Sequence, residues 1–355
     1  MENNDTRIVE TLNRRLELII LPTEGCDFRC LYCYEEHAKN GGMKPEVVES
    51  IRRLMTLRAP ELEKLTIQWF GGEPTLRYDI MVDIMEHAQA LRANSSGRIS
   101  ISSIATTNGY RLTSEKFDKL VSLGVTNYQI TLDGDKEEHD KLRIRADGKG
   151  TFDVIWNNLE AMRKSDLNFT IMIRLHVNKN NEENMRSLLK KIAGEFGDDK
   201  RFIVYVRGLS RLGGQNDGLL PVLDDMKVVD ELKKYATSLD LRLPEIDIYR
   251  ENPDYICYAA KPFAYMIRAD GSIGKCTVAL MSSKNVIGRL NPDGTMQLDS
   301  EKISEWSRGL FSGKKPELAC PMRGLALKND IAPKLLRIES QNKDATRQQL
   351  SRDLA

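Results

Sequence analysis

The chain has little of what several functional classes require. Its 53 Lys and Arg are offset by 52 Asp and Glu, a formal net charge of +1. The basic footprint of a general nucleic-acid binder is therefore missing. No apolar run nears the roughly 18 residues of a membrane-spanning helix. The opening MENNDTRIVE has neither a basic n-region nor an apolar h-region, so no secretion signal is read and a cytoplasmic protein is expected. Histidine is scarce, and His37, His87, His139 and His176 are too scattered to suggest a His-based metal site. No G-x-S-x-G elbow supports a Ser-His-Asp triad. The Gly-Gly pairs at 41–42 and 213–214 precede no Lys-Ser/Thr, so they read as loop hinges rather than phosphate cradles. Repeats of 20–50 residues and low-complexity tracts are absent. Six cysteines in 355 residues are too sparse for a disulfide scaffold.

What is present is enough apolar residue, 41%, for a sizeable core. The length suits two or three units, or one large α/β unit with an appendage. Strand-like stretches at 15–21, 65–70, 99–105, 127–132, 169–177 and 202–206 alternate with helix-period stripes. The stripes are centred on Val48 and Ile51, Ile84 and Met85, Phe117 and Leu120, residues 152–162, and Leu188 and Leu189. Six strands separated by helices predict a parallel sheet of βαβ units. Periodicity alone allows either a partly closed barrel or an open doubly wound sheet. After a loop at 211–217, residues 222–239 read as a helix. FAYMIRADGSIGKCTV reads as a hairpin turning at Asp270-Gly271, and NPDGT at 291–295 as a second turn. The last 30 or so residues are polar and read as a surface helix or tail.

The cysteines fall into two groups of three. Cys26, Cys30 and Cys33 form C-x3-C-x2-C just past the first strand. Three thiolates this close mark a metal centre. Zinc would want a fourth ligand, which His37 could supply. A 4Fe–4S cluster held by three thiolates would leave one iron open. Polar or Gly-rich segments end the next strands: Gly71-Gly72-Glu73-Pro74, Thr107-Asn108-Gly109 and Thr131-Leu132-Asp133-Gly134. Strand C-termini are where α/β folds place their sites. The glycines allow close backbone approach to a ligand, and Glu73 offers a carboxylate to an amine.

With Tyr32 supplying an aromatic before Cys33, the sequence closely resembles the radical SAM enzymes over about residues 12–210. The resemblance implies an α/β fold, a partial (β/α)6 barrel. It implies a 4Fe–4S cluster on Cys26, Cys30 and Cys33, with S-adenosylmethionine chelating the open iron. Reductive cleavage would yield a 5′-deoxyadenosyl radical that abstracts hydrogen from substrate, the protein supplying position and shelter. Carried over, Tyr32 borders the adenine, and Gly71, Gly72 and Glu73 receive the methionyl amine. Thr107, Asn108, Thr131 and Asp133 line the cofactor pocket. Arg143 pairs with the methionyl carboxylate, with Arg145 close enough in sequence to compete.

Cys257, Cys276 and Cys320 are far apart, and free cysteine is also a small hydrophobe. Yet C-x13-G-x4-C from Cys257 to Cys276, and Cys320-Pro321, resemble the auxiliary-cluster region called SPASM or, when shortened, twitch. A twitch would usually carry another cysteine where Arg323 stands. At most one auxiliary iron–sulfur cluster is thus implied, with an open iron or a non-cysteine fourth ligand. The expected organisation is a barrel at 1–215, a linking helix at 216–250, a small β-hairpin/α auxiliary-cluster domain at 251–325 and a polar tail at 326–355.

This family resemblance implies a peptide-modifying maturase, installing a crosslink or other modification in a ribosomally made precursor peptide. Radical oxidation of a small molecule, or of a sulfatase Cys or Ser, is the alternative. A third reading is a metal-stapled binding or redox-sensing module, with Gly71-Gly72-Glu73 mere loop. Fewer than 20 residues precede the first strand, so leader recognition is expected on the barrel rim, the C-terminal region or a separate protein. The chemistry implies a flavodoxin- or ferredoxin-type electron donor. Asp217, Asp254 and Tyr205 are candidates for a general base, and nothing in the pattern singles one out.

Overall fold

The computed structural model describes residues 14–35, 41–244 and 254–325. His37, the stretch at 245–253 and the tail from 326 lie outside the described residues. Six parallel strands form the main sheet: β1 (Arg15–Ile20), β2 (Lys64–Trp69), β3 (Ser100–Thr107), β4 (Val125–Leu132), β5 (Thr170–Val177) and β6 (Phe202–Gly208). Each neighbours the next in chain order. The helices between them are α1 (Pro45–Arg58), α2 (Tyr78–Asn94), α3 (Ser114–Ser122), α4 (Lys136–Leu142), α5 (Phe152–Arg163) and α6 (Glu182–Phe196). Strand β6 is an edge and does not return to β1, so the six βα units make a partial barrel.

Local chemistry explains the helices. Helix α1 starts with Pro45 at its first turn and has Glu46 there and Arg58 in its last, matching the helix dipole. It buries Val48, Ile51, Leu54 and Met55, a stripe spaced by three and four. Helix α6 buries Met185, Leu188, Leu189, Ile192 and Phe196 in the same way. Phe196 stacks on Phe202 with ring centroids 4.5 Å apart, which seats α6 against β6.

The C-terminal segment folds as the hairpin pattern predicts, in an unforeseen place. Strand β7 (Ala264–Ile267) pairs parallel with β1, Glu17 opposite Ala264. Strands β8 (Ser272–Gly274), β9 (Gly288–Leu290) and β10 (Met296–Leu298) follow antiparallel, giving one ten-stranded sheet. Gly271 makes the β7–β8 turn at φ +80°, while Asp270 Oδ1 accepts from Ser272 N at 2.9 Å. The ion pair of Arg268 with Glu24, 2.8 and 2.7 Å, is bidentate and nearly buried, and ties β7 to the end of β1. The layer also carries α8 (Ser300–Ser312) and α9 (Lys315–Ala319).

Two helical expectations change. The helix expected at 222–239 begins later, as α7 (Lys227–Ser238), after a bend in which Asp225 Oδ1 accepts from Lys227 N at 2.9 Å. Helix α4 was not foreseen. It is short and almost wholly polar, with Asp135 capping Glu138 N at 3.2 Å, so it carries little apolar period to read. Among the described residues, no helix is long and apolar enough to cross a membrane.

Candidate functional site

The strands' C-terminal ends surround a cavity of about 640 Å³. Cys26, Cys30 and Cys33 lie on the loop leaving β1 and line it. That loop is zipped to the end of α4 and the segment after it: Arg29 N donates to Ile144 O at 2.7 Å, Leu31 N to Leu142 O at 3.0 Å, and Ala146 N to Asp27 O at 2.8 Å. The loop's position is thus set by backbone bonds.

Gly71 and Gly72 line the cavity as well. Their need for glycine comes from the cysteine loop itself. A Cβ on Gly71, which has φ +105°, would meet Thr23 O at 2.4 Å, and one on Gly72 would meet Gly25 O at 2.3 Å. Gly214 is pressed in the same way against Cys33 O, 2.4 Å from a would-be Cβ. Of the glycine pair at 213–214, expected as a hinge, Gly214 therefore packs against the cysteine loop.

Glu73 is fully buried and is not on the cavity wall. Its Oε1 accepts from Thr75 N (2.9 Å), Thr75 Oγ1 (2.5 Å) and Thr107 Oγ1 (2.7 Å), and its Oε2 from Asn108 N (2.6 Å). Burial pushes its carboxyl up, against the pull of these bonds. Here Glu73 clamps the end of β2 to the end of β3, which gives the reading of a carboxylate offered to an amine a structural competitor.

Behind the wall, Asp133 organises a second network. It is fully buried and accepts from the Tyr32 hydroxyl. Arg143 Nη1 donates to Tyr32 Oη at 2.5 Å and lies 3.9 Å from Asp133 Oδ2. His176 Nδ1 is 3.2 Å from Asp133 Oδ1, within ion-pair reach but off hydrogen-bond alignment. Burial alone would raise the Asp133 pKa. His176, Arg143 and His139 overcome it and hold the carboxyl well below the usual range. His139 Nδ1 accepts from Asp133 N at 3.2 Å, and its Nε2 meets Thr151 Oγ1 at 3.0 Å.

Tyr32, Gly71, Gly72, Thr107, Asn108, Thr131 and Arg143 all line the cavity, whereas Glu73 and Asp133 stand behind it. Arg145 is not on the wall. It bonds Tyr110 Oη at 2.6 Å and pairs with Asp147 at 3.0 Å, which leaves Arg143 as the inward arginine of the two. Of the base candidates, Tyr205 lines the cavity. Asp217 Oδ2 accepts from Gly213 N at 2.7 Å, and exposed Asp254 pairs with Lys315 at 3.1 Å.

The fold brings the second cysteine set together. Cys257 N donates to Leu318 O at 2.9 Å, which joins it to α9, and Cys320 follows that helix. Asn285 Oδ1 accepts from Cys276 N at 2.8 Å, and Asn285 Nδ2 donates back to Cys276 O at 2.9 Å. Cys257 lies within electrostatic reach of Cys320, and Cys276 of both. Tyr34 lies close enough to both sets to feel Cys33 and Cys276. The cavity wall reaches this region at Tyr258, Thr277 and Val278. Arg323 N donates to Cys320 O at 3.0 Å in the turn that follows.

All six cysteines are free thiols. Burial pushes Cys26 and Cys30 up and Cys33 to about 12, and Cys276 likewise to about 12. Thiolates there need a cationic partner, which an iron–sulfur centre provides. Among the described residues, no three His, Cys, Asp or Glu side chains converge on a single-ion site. A lone zinc would draw its sulfurs to within about 4 Å of one another, whereas a multi-iron cluster spaces them wider.

Sequence reasoning missed Arg174, His176, Gln129 and Arg207, all on the wall. The signal was there. A parallel strand covered on both faces reads as continuously apolar, and β5 instead alternates Thr170, Met172, Arg174 and His176 inward.

The Radical SAM superfamily model matches residues 20–192. Residues 20–192 are a radical SAM domain. Domains of this superfamily use a 4Fe–4S cluster and S-adenosylmethionine. The chain is 27% identical over 202 residues to the cysteine-type anaerobic sulfatase-maturating enzyme of Clostridium novyi, covering 54% of this chain and 51% of that one. It is 25% identical over 261 residues to the sporulation killing factor maturation protein SkfB of Bacillus subtilis, covering 72% and 58%. The chain thus spans between half and three-fifths of these two relatives. In fold it is similar to anSMEcpe with bound AdoMet and Cp18Cys peptide, with a TM-score of 0.62, 16% identity, and coverage of 96% of this chain and 100% of that one. It is also similar to Streptococcus suis SuiB bound to precursor peptide SuiA, with a TM-score of 0.57, 18% identity and coverage of 87% and 70%.

Proposed function

We propose that this chain is a radical SAM maturase that abstracts hydrogen from a residue of a peptide, as a step in crosslinking or otherwise modifying a ribosomally made precursor. The observation that carries this reading is one cavity at the strand ends. Cys26, Cys30 and Cys33 line it, and its wall runs on to the region of the second cysteine set. When bound, the cluster and S-adenosylmethionine supply a 5′-deoxyadenosyl radical. The chain's own residues do the rest. Cys26, Cys30 and Cys33 hold the cluster, and Gly71 and Gly72 bring the β2 end against their loop. Tyr32, Thr107, Asn108 and Thr131 shape the cofactor side of the cavity. Arg143, steadied by Tyr32 and Asp133, presents a fixed guanidinium to a methionyl carboxylate. Cys257, Cys276 and Cys320 hold one auxiliary cluster, and a flavodoxin or ferredoxin delivers electrons. The names of the relatives, a sulfatase-maturating enzyme and a killing-factor maturation protein, favour a peptide over a free small molecule.

The test is anaerobic reconstitution followed by dithionite and S-adenosylmethionine. 5′-Deoxyadenosine and methionine should form, and Cys30→Ser should abolish both. A reconstituted wild-type chain that holds iron and yields no 5′-deoxyadenosine would refute the reading. Formylglycine on a Cys- or Ser-containing sulfatase peptide would move the assignment to sulfatase maturation.

A further inference from the structure

The inner wall of the cavity is built in layers. The register places Thr131, Arg174 and Tyr205 side by side across β4, β5 and β6. Two residues further on come Asp133, His176 and Arg207, of which His176 and Arg207 are paired in register. The upper layer is internally balanced, since Asp133 is engaged by Tyr32, Arg143 and His176. The lower layer is not. Arg174 Nε donates to Thr131 Oγ1 at 3.3 Å, and this is the one hydrogen bond of its guanidinium within the described residues. No described carboxylate lies within ion-pair distance of it. Both terminal nitrogens are left to the cavity that Arg174 lines.

An arginine stays charged at any working pH, and a charge kept from water without a partner is costly. The neighbours make matters worse. Burial and the charges of Arg207 and Arg143 disfavour the guanidinium more than Tyr32 and Asp133, neither of which bonds it, favour it. Arg207, itself engaged elsewhere, adds its charge to the same cavity. Glu35 is the acidic group on the wall, but the cation near it is Arg268, and it forms no ion pair with Arg174 among the described residues. The cofactors would not correct the imbalance. A 4Fe–4S core of charge +2 on three thiolates would carry −1, and the sulfonium and carboxylate of S-adenosylmethionine would cancel one another, so the single negative charge left is met by Arg143 alone. Arg143 Nη1 is held at 2.5 Å by Tyr32, which sits between Cys30 and Cys33, so Arg143 is the one placed for a ligand on the cluster.

We propose that Arg174 anchors a carboxylate of the substrate, so that the peptide segment entering the cavity carries an Asp or Glu side chain beside the residue that reacts. This rests on the peptide reading above and names the chemistry of its substrate. Thr131 fixes the Nε edge of the guanidinium and turns the two terminal nitrogens toward the incoming carboxylate, a bidentate arrangement.

The test uses reconstituted holoenzyme with S-adenosylmethionine, kept anaerobic and without reductant. The probes are heptapeptide amides labelled with a neutral dye, Gly-Ser-Ala-Glu-Ala-Ser-Gly and its Gln isostere, read by fluorescence anisotropy. A third probe is the Gln peptide with a free C-terminal carboxylate. Wild type should bind the Glu peptide about tenfold more tightly than the Gln peptide, as a charged hydrogen-bonded pair would give. In Arg174→Gln the two should converge, and Arg174→Lys should retain part of the preference. Cluster absorbance and S-adenosylmethionine affinity should be unchanged in both variants, which also checks folding. The proposal is overturned if wild type does not distinguish Glu from Gln, or if Arg174→Gln still does. It is overturned too if the variants lose S-adenosylmethionine binding, since the ligand is then the methionyl carboxylate. Preference for the free C-terminus alone would replace the side chain with a terminal carboxylate and overturn the stated substrate. A chain that binds the Glu peptide through Arg174 but never cleaves S-adenosylmethionine would keep the anchor and lose the maturase reading.

Discussion

Glu73 shows how a residue's type and its job can separate. Its carboxylate accepts four hydrogen bonds from its own chain. Glu73→Gln turns an N–H2 toward one of those donor sets and leaves buried groups unpaired, at a cost of about 1–3 kcal/mol. The urea midpoint of the metal-free protein should fall accordingly. An unchanged midpoint with weakened S-adenosylmethionine binding would instead return Glu73 to direct contact with the ligand. At this scale the sequence was legible where spacing carried chemistry. The placement of Cys26, Cys30, Cys33, Tyr32, Gly71, Gly72 and Arg143 around one cavity follows their motifs. What spacing could not carry was which face of a strand meets the cavity, and so Arg174 and His176 went unread.

Helix α4 positions more than its seven residues suggest. Its His139 bridges the backbone of Asp133 and the Thr151 hydroxyl, and the residues after it hold the cysteine loop. Burial, aided by the Arg143 charge, pushes the His139 pKa down from 6.5 to about 3. The folded state therefore keeps this imidazole neutral while the unfolded chain takes up a proton below about pH 6.5. Stability is level above that pH and falls between 6.5 and about 3. At pH 5 the loss from this one group is about 2 kcal/mol. Urea titrations of the metal-free protein at pH 7 and pH 5 should show the drop. His139→Gln should be weaker at pH 7 yet lose less on acidification, His176 still contributing. Parallel losses in both proteins would remove His139 as the cause. Among the elements, the six strands and the larger helices of the barrel were legible because each has an apolar period, whereas α8 at Ser300–Ser312 fell in a stretch read as β-like and turn-rich. Helix α4 was not, since polar Lys136-Glu137-Glu138-His139 has none.

Across the whole molecule, the two cysteine sets predict a stoichiometry. Reconstituted wild type should hold about eight irons and eight sulfides per chain, two 4Fe–4S clusters. Replacing Cys257, Cys276 and Cys320 together by Ser should leave about four. Four in the wild type would make the second set structural, and stoichiometric zinc without iron would end the radical reading. Alternation of strands and helices could not decide between barrel and open sheet, because closure depends on which strands meet across the chain. Nor could it foretell that β7 pairs with β1, a contact made by residues far apart in sequence.

That last contact has a consequence for how the protein is made. Strand β1, RLELII, is buried from its second residue on and precedes the other described strands in the chain. One of its edges waits for β7, with Lys261 reaching Glu17 at 3.2 Å across 244 residues of chain. During synthesis the nascent barrel thus carries an open, hydrophobic strand edge, a template for pairing with other chains. Expression truncated near residue 250 should yield aggregate rather than a free-standing barrel, and full-length chain should depend on chaperones until its C-terminal third arrives.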